Sequence, residues 1–263
     1  MTSRIDEKFA ALKTAGHGGL VTYATAGDPD RETSIQILIA IARAGADVLE
    51  VGVPFSDPLA DGPVIQRASE RALASGMTLR GTLDVVREVR RQVDTPIVLF
   101  TYANPVVRMD AATFAASARE AGVDGVLILD YPVEESDELR QIMIDAGLDP
   151  IFLIGPTTTD ERIRKSAELG RGFLYVISRL GVTGARAEVS REAGDIVQRI
   201  RRCSELPVVV GFGISHPDHV KDTCRTADAA VVGSALVNVI GEHGSNGAAG
   251  HAADYVRWLK SSL

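Results

Sequence analysis

The residues able to do chemistry collect where glycine and proline interrupt short apolar runs. Glu50 is a lone carboxylate in Val48-Leu49-Glu50-Val51-Gly52-Val53. In a strand the side chains alternate, so Glu50 shares a face with Val48 and Gly52, while Leu49, Val51 and Val53 form the bulkier face suited to covering helices. A carboxyl aimed into a barrel loses hydration, which disfavours its charged form and raises its pKa toward working pH, as a proton shuttle needs. A strand carboxylate held in a salt bridge is the competing reading. Asp57 and Asp61 follow within 54–63, a segment dense in Pro, Asp and Gly and too long for a simple strand-to-helix turn. Both are candidates for substrate contact, against the alternative that a loop aspartate caps a turn or the next helix.

Glycines mark a second kind of site. Gly211-Phe212-Gly213-Ile214-Ser215 and Val232-Gly233-Ser234-Ala235 each follow an apolar run. Backbone N–H groups there can approach an anion, and a helix starting near Ser234 would aim its positive end at it. Together they predict a phosphate on the ligand. The glycine-punctuated stretch 178–184 can close over that ligand.

These residues need elements to hold them. Eight short runs rich in Val, Ile and Leu, at 20–25, 48–53, 97–102, 125–129, 151–154, 173–178, 208–211 and 229–232, read as buried parallel strands. Between them lie helical stretches such as 32–44, 79–93, 112–121, 136–146, 160–169, 192–203 and 217–226. A unit recurs in which a helix ends at Ala-Gly and an Asp precedes the next apolar run, as at Ala44-Gly45-Ala46-Asp47, Ala121-Gly122-Val123-Asp124 and Ala146-Gly147-Leu148-Asp149. Glycine there suits a left-handed helix cap. Strand and helix alternate through the whole chain, which predicts a (β/α)8 TIM barrel in one domain spanning 1–263, with an extra amphipathic N-terminal helix. An open doubly wound sheet is the alternative; the first strand is followed by Ala26-Gly27-Asp28-Pro29 and not by a Gly-x-Gly-x-x-Gly turn.

The bulk numbers bound the partners. The 263 residues carry a formal charge of -7, which argues against general binding to nucleic acid or anionic membranes. Cys203 and Cys224 lack a CxxC or His partner, so reduced thiols and no metal are expected. With no signal segment or apolar run of spanning length, the cytoplasm is the expected address.

The run from Leu49 to Gln66, reading LEVGVPFSDPLADGPVIQ, closely resembles the signature of tryptophan synthase alpha subunits. Thr25-Ala26-Gly27-Asp28-Pro29, Tyr102-Ala103-Asn104-Pro105, Pro132-Val133-Glu134-Glu135 and 178–184 are similar in the same order, as are the glycine ends at 211–215 and 233–234. The resemblance implies a retro-aldol lyase that splits indole-3-glycerol phosphate into indole and D-glyceraldehyde 3-phosphate in L-tryptophan biosynthesis. Glu50 and Asp61 fall on the family's catalytic pair. The substrate-binding positions it implies are Tyr23, Phe100, Tyr102, Tyr175, Thr183, Gly184, Phe212, Gly213, Gly233 and Ser234, with Leu129 and Ile154 also in the apolar wall. Asp57 with Thr183 or Arg179 would serve loop closure.

No cofactor is implied for this chain. Pyridoxal phosphate is expected only in a partner beta subunit, which receives indole through a tunnel in an α2β2 complex. The sequence departs from the family where Tyr23 replaces a frequent phenylalanine, Phe100 a common leucine, and Tyr131 a smaller apolar residue. A free-standing indole-releasing lyase and a non-catalytic regulator are the competing functions; retention of both Glu50 and Asp61 argues against the regulator. A related barrel that uses a lysine acid is disfavoured, because Lys8, Lys13, Lys165, Lys221 and Lys260 all lie in helical stretches.

Overall fold

In the computed structural model, residues 2–177, 186–211 and 213–263 are described, without the side chains of 186–192. Eight strands form a closed parallel barrel in chain order, β1 pairing with β8. They are β1 (Gly19–Thr25), β2 (Val48–Gly52), β3 (Ile97–Thr101), β4 (Gly125–Ile128), β5 (Asp149–Ile154), β6 (Leu174–Ile177), β7 (Val208–Gly211) and β8 (Ala229–Val232). All eight expected strands are present, and the closed ring removes the open-sheet alternative.

Side-chain parity divides two cores. Val21, Val48, Val98, Leu127, Ile151, Tyr175, Val209 and Val231 fill the barrel, while Leu49, Val51, Ile97 and Leu99 pack outward under the helices. The helix α1 (Arg4–Ala15) is held by a capping box between Ser3 and Asp6. Its Ile5 and Phe9 join the interior core, with Phe9 and Phe173 ring centroids 5.7 Å apart. The extra N-terminal helix therefore plugs the amino end of the barrel and leaves the carboxyl end for the site.

The helices α2 (Arg31–Arg43), α4 (Leu79–Arg90), α6 (Ala111–Ala121), α7 (Asp137–Asp145), α8 (Asp160–Leu169), α9 (Arg186–Arg201) and α10 (Pro217–Thr223) match expected segments, although α9 begins six residues earlier than expected. The glycines of the repeated unit, Gly45, Gly122 and Gly147, all have positive φ. Two further helices, α3 (Pro63–Ala74) and α5 (Ala103–Met109), were not legible as such, and α12 (Ala248–Lys260) was anticipated only by the placing of Lys260 in a helical stretch. The first hid behind Pro63, which ends the loop as read but occupies the first turn of α3, where a missing N–H costs nothing. The helix expected near Ser234 is α11 (Ser234–His243).

The aspartate of the repeated unit has a structural task. Asp47 accepts the N–H of Leu20 at the start of β1 (2.8 Å), and Asp124 that of Ile97 at the start of β3 (2.9 Å). Asp228 does the same for Val208 (2.6 Å). Each carboxylate also meets a base: Lys260 at Asp47, Arg90 at Asp124 and Arg201 at Asp228. This stitches neighbouring strands at their amino ends, opposite the carboxyl ends of the barrel. Asp149 departs from the pattern, with one buried oxygen left without a partner among the described residues.

Candidate active site

Glu50 points into the barrel, as the alternation of β2 requires, and is 1% exposed. No salt bridge holds it among the described residues, and its Oε1 is buried without a hydrogen-bond partner there. Burial, reinforced by the nearby negative charge of Asp61, raises its pKa to about 8. At neutral pH this carboxyl holds a proton it can give.

Asp61 lies in the loop between β2 and α3. It does not cap α3, whose N-cap is Gly62 without a side-chain bond. Instead its Oδ2 accepts the Tyr102 hydroxyl at 3.0 Å. Burial raises the Asp61 pKa to about 6, the tyrosine bond opposing the rise. Two neighbouring carboxyls thus differ, one protonated and one mostly ionised near pH 7.

Tyr102 stands just beyond β3. Its hydroxyl also accepts the Ala60 N–H at 3.1 Å, and its ring meets Phe55 with centroids 5.1 Å apart. It therefore clamps the Asp61 loop to the rim, a role the reading of Tyr102 as apolar wall did not include. Asp57 is exposed and accepts the Ser56 hydroxyl at 2.6 Å. Its proposed loop-closure partners, Thr183 and Arg179, lie outside the described residues, as do Gly184 and Phe212.

The wall is aromatic. Phe100 lies edge-on to Tyr23 with centroids at 5.4 Å and tilts against Tyr175 at 6.4 Å. Both tyrosines reach across a glycine on the next strand. A Cβ at Gly52 would come within 2.1 Å of the Tyr23 hydroxyl oxygen, and one at Gly211 within 2.6 Å of that of Tyr175. Burial raises both phenol pKa values well above 10, for Tyr175 with a further push from Glu50. These two slots escaped the sequence reading, which assigned no packing role to Gly52 or Gly211; register across paired strands is their only signal.

Leu129 packs with the barrel interior as expected, but Ile154 does not. It faces outward among Ile163, Leu174 and Val176, and Leu153 takes the inward place beside it. Strand parity from Ile151 identifies Leu153 as the inward residue, since the two differ by one even step. Tyr131 also lies outside the barrel, lining a cavity of about 30 Å³ with Ser136, Leu139 and Met143.

Across the mouth from Glu50 lie the glycine ends. Gly213 has φ +47°, with open space where a Cβ would stand, and Gly233 caps α11 with no side chain over the helix end. Ser234 opens that ten-residue helix. The amino end of α11 thus carries no side-chain cap of its own, and its dipole presents a positive end there. Among the described residues, no cluster of three or more His, Cys, Asp or Glu suited to a metal occurs, and no helix is long and apolar enough to cross a membrane. Both cysteines are free.

Comparison with known proteins agrees over nearly the whole chain. The family model described as tryptophan synthase alpha chain matches residues 9–260. A tryptophan synthase alpha chain of Burkholderia thailandensis is 49% identical, with 99% of this chain and 97% of the relative covered. The solved alpha subunit of Legionella pneumophila superposes with a TM-score of 0.92 at 35% identity, covering 100% of this chain and 98% of that one. A chain of the tryptophan synthase complex of Pyrococcus furiosus gives a TM-score of 0.85 at 40% identity, covering 93% and 98%. Carrying the buried glutamate, the loop aspartate and the glycine cradle on a closed barrel, this chain belongs to the tryptophan synthase alpha chain family.

Proposed function

We propose that the chain cleaves indole-3-glycerol phosphate to indole and D-glyceraldehyde 3-phosphate, with Glu50 and Asp61 as its catalytic residues. The observation that carries this reading is the split pair: a buried carboxyl with a pKa of about 8, its Oε1 without a hydrogen-bond partner among the described residues, beside one of about 6. Indole leaves only if ring carbon C3 gains a proton and the 3′-hydroxyl loses one. Protonated Glu50 delivers to C3, and positive charge then appears at N1, whose N–H donates to ionised Asp61. The Glu50 carboxylate next takes the 3′-hydroxyl proton. The C3–C3′ electron pair returns to the ring, the aldehyde forms, and Glu50 ends protonated as it began.

Phe100 and Tyr175 would hold the indole ring, Gly213, Gly233 and Ser234 the phosphate, and Tyr23 would contact the substrate between them. Proton transfer of this kind calls for no cofactor. The indole would pass to a pyridoxal-phosphate beta subunit in an α2β2 assembly in the cytoplasm; the occurrence of a close structural relative in a tryptophan synthase complex supports a beta partner. Asp57 with Thr183 and Arg179 would close the loops over the substrate, the whole chain acting as one domain.

The test supplies indole-3-glycerol phosphate and follows indole release with and without the beta subunit. Release that rises strongly with the beta subunit is expected. Full turnover by the chain alone would point to a free-standing lyase, and ligand binding without cleavage to a regulator.

A further inference from the structure

Tyr23 occupies a singular place in the ring of strands. On one side it pairs in register with Glu50 of β2. On the other, Thr22 pairs with Val232 of β8, which sets Tyr23 beside Gly233; a Cβ at Gly233 would lie 3.9 Å from that of Tyr23. Its ring packs against Val237 of α11, the helix whose amino end opens at Ser234. Tyr23 thus stands between the proton-transfer carboxyl and the anion cradle. Any ligand reaching from one to the other has to cross it.

The tyrosine hydroxyl is buried and lies 3.3 Å from the Thr25 hydroxyl, which is also buried. Two hydroxyls bring two protons, and one bond between them uses one. Neither oxygen has another partner among the described residues, so one proton remains available beside Ala68, Val237 and Phe100, the apolar residues clustered with Tyr23. The bare backbone of Gly52 makes room for the Tyr23 hydroxyl, since a Cβ there would fall 2.1 Å from its oxygen.

Given the reaction assigned above, the part of the substrate that crosses Tyr23 is the three-carbon chain joining the indole ring to phosphate, and its polar groups are hydroxyls. We propose that the Tyr23–Thr25 hydroxyl pair binds a hydroxyl of that chain, which makes Tyr23 a specificity-determining residue that separates the hydroxylated chain from a deoxygenated one. The ring of Tyr23 supplies apolar contact to either ligand, and the phenol oxygen responds only to the hydroxylated one.

The test compares wild type, Tyr23→Phe and Thr25→Val, each assembled with the beta subunit, on two ligands. One is indole-3-glycerol phosphate, read as kcat/KM. The other is indole-3-propanol phosphate, in which the same ring and phosphate are joined by a chain without hydroxyls, read as an inhibition constant. Each substitution is expected to lower kcat/KM by about 3- to 10-fold, the worth of one neutral hydrogen bond, while the inhibition constant moves less than about 2-fold. The double variant should lose no more than either single one, because both break the same unit.

Equal weakening for both ligands would make Tyr23 a packing residue and overturn the proposal, as would an unchanged kcat/KM in Tyr23→Phe. A wild-type complex that binds neither ligand would instead remove the assigned reaction itself, and this inference with it.

Discussion

The Tyr102 hydroxyl donates to Asp61 Oδ2 across 3.0 Å while accepting the Ala60 N–H, so one phenol fixes both the orientation of the Asp61 carboxylate and the loop that carries it. That bond is also the one influence holding the Asp61 pKa down against burial. Tyr102→Phe should therefore move the acid limb of the kcat/KM profile upward from about 6. At pH 7 the variant should lose about 3- to 10-fold in kcat/KM. A profile that superposes on wild type would show that the bond is absent from the working enzyme.

The pair as a whole predicts a bell-shaped pH dependence. Cleavage needs Asp61 ionised and Glu50 protonated, so kcat/KM should fall below about 6 and above about 8. Glu50→Gln and Asp61→Asn should each reduce cleavage by ~10²-fold or more with the fold retained. Near-normal turnover in Glu50→Gln would end its assignment as the proton shuttle.

Stability should respond to Glu50 in the opposite direction. The folded chain keeps its proton up to about pH 8, whereas an exposed glutamate ionises near 4.5. Between those values the folded state binds the extra proton, so rising pH favours the unfolded chain; the cost is absent below 4.5 and complete above 8. Glu50→Gln removes it. The variant should exceed wild type by on the order of 5 kcal/mol at pH 8.5, the worth of a shift from 4.5 to about 8, and match it near pH 4, as read by denaturant unfolding at the two pH values.

The anion cradle has its own signature. Gly233→Val puts a branched side chain at the opening of α11, beside Tyr23. It should raise KM by about 10-fold or more, a loss of about 1.4 kcal/mol in binding, with a smaller change in kcat. An unchanged KM would move the phosphate elsewhere.

At the closed end, Asp124 ties the Ile97 N–H, Arg90 and Arg4 together while 2% exposed. Asp124→Ala leaves Arg90 half-buried without its anion and should destabilise the chain by about 3 kcal/mol, without altering kcat/KM of the folded fraction. Loss of activity in material of wild-type stability would contradict the separation of a structural floor from a catalytic mouth.

Much of this protein was decided by local sequence. Alternating side-chain direction along 48–53 set which way Glu50 points, because a strand has only two faces. Positive-φ glycines at 45, 122 and 147 ended helices in a conformation that other residues resist. Glycine placed after the last two strands was enough to mark where backbone donors stand bare, at Gly213 and at Gly233 before α11.

Other features required the closed ring. Whether Asp61 caps a helix or serves the cavity depends on where Tyr102, 41 residues later, projects its hydroxyl. That Ile154 faces the helices and Leu153 the cavity followed from the phase of β5, which a short apolar run conceals when both of its faces are buried. The Tyr23–Gly52 and Tyr175–Gly211 slots exist only across paired strands. Above all, the carboxyl and the cradle lie far apart in the chain and become neighbours of one tyrosine because β8 returns to β1. Sequence fixes which side of a strand a residue takes; barrel closure determines what stands opposite it.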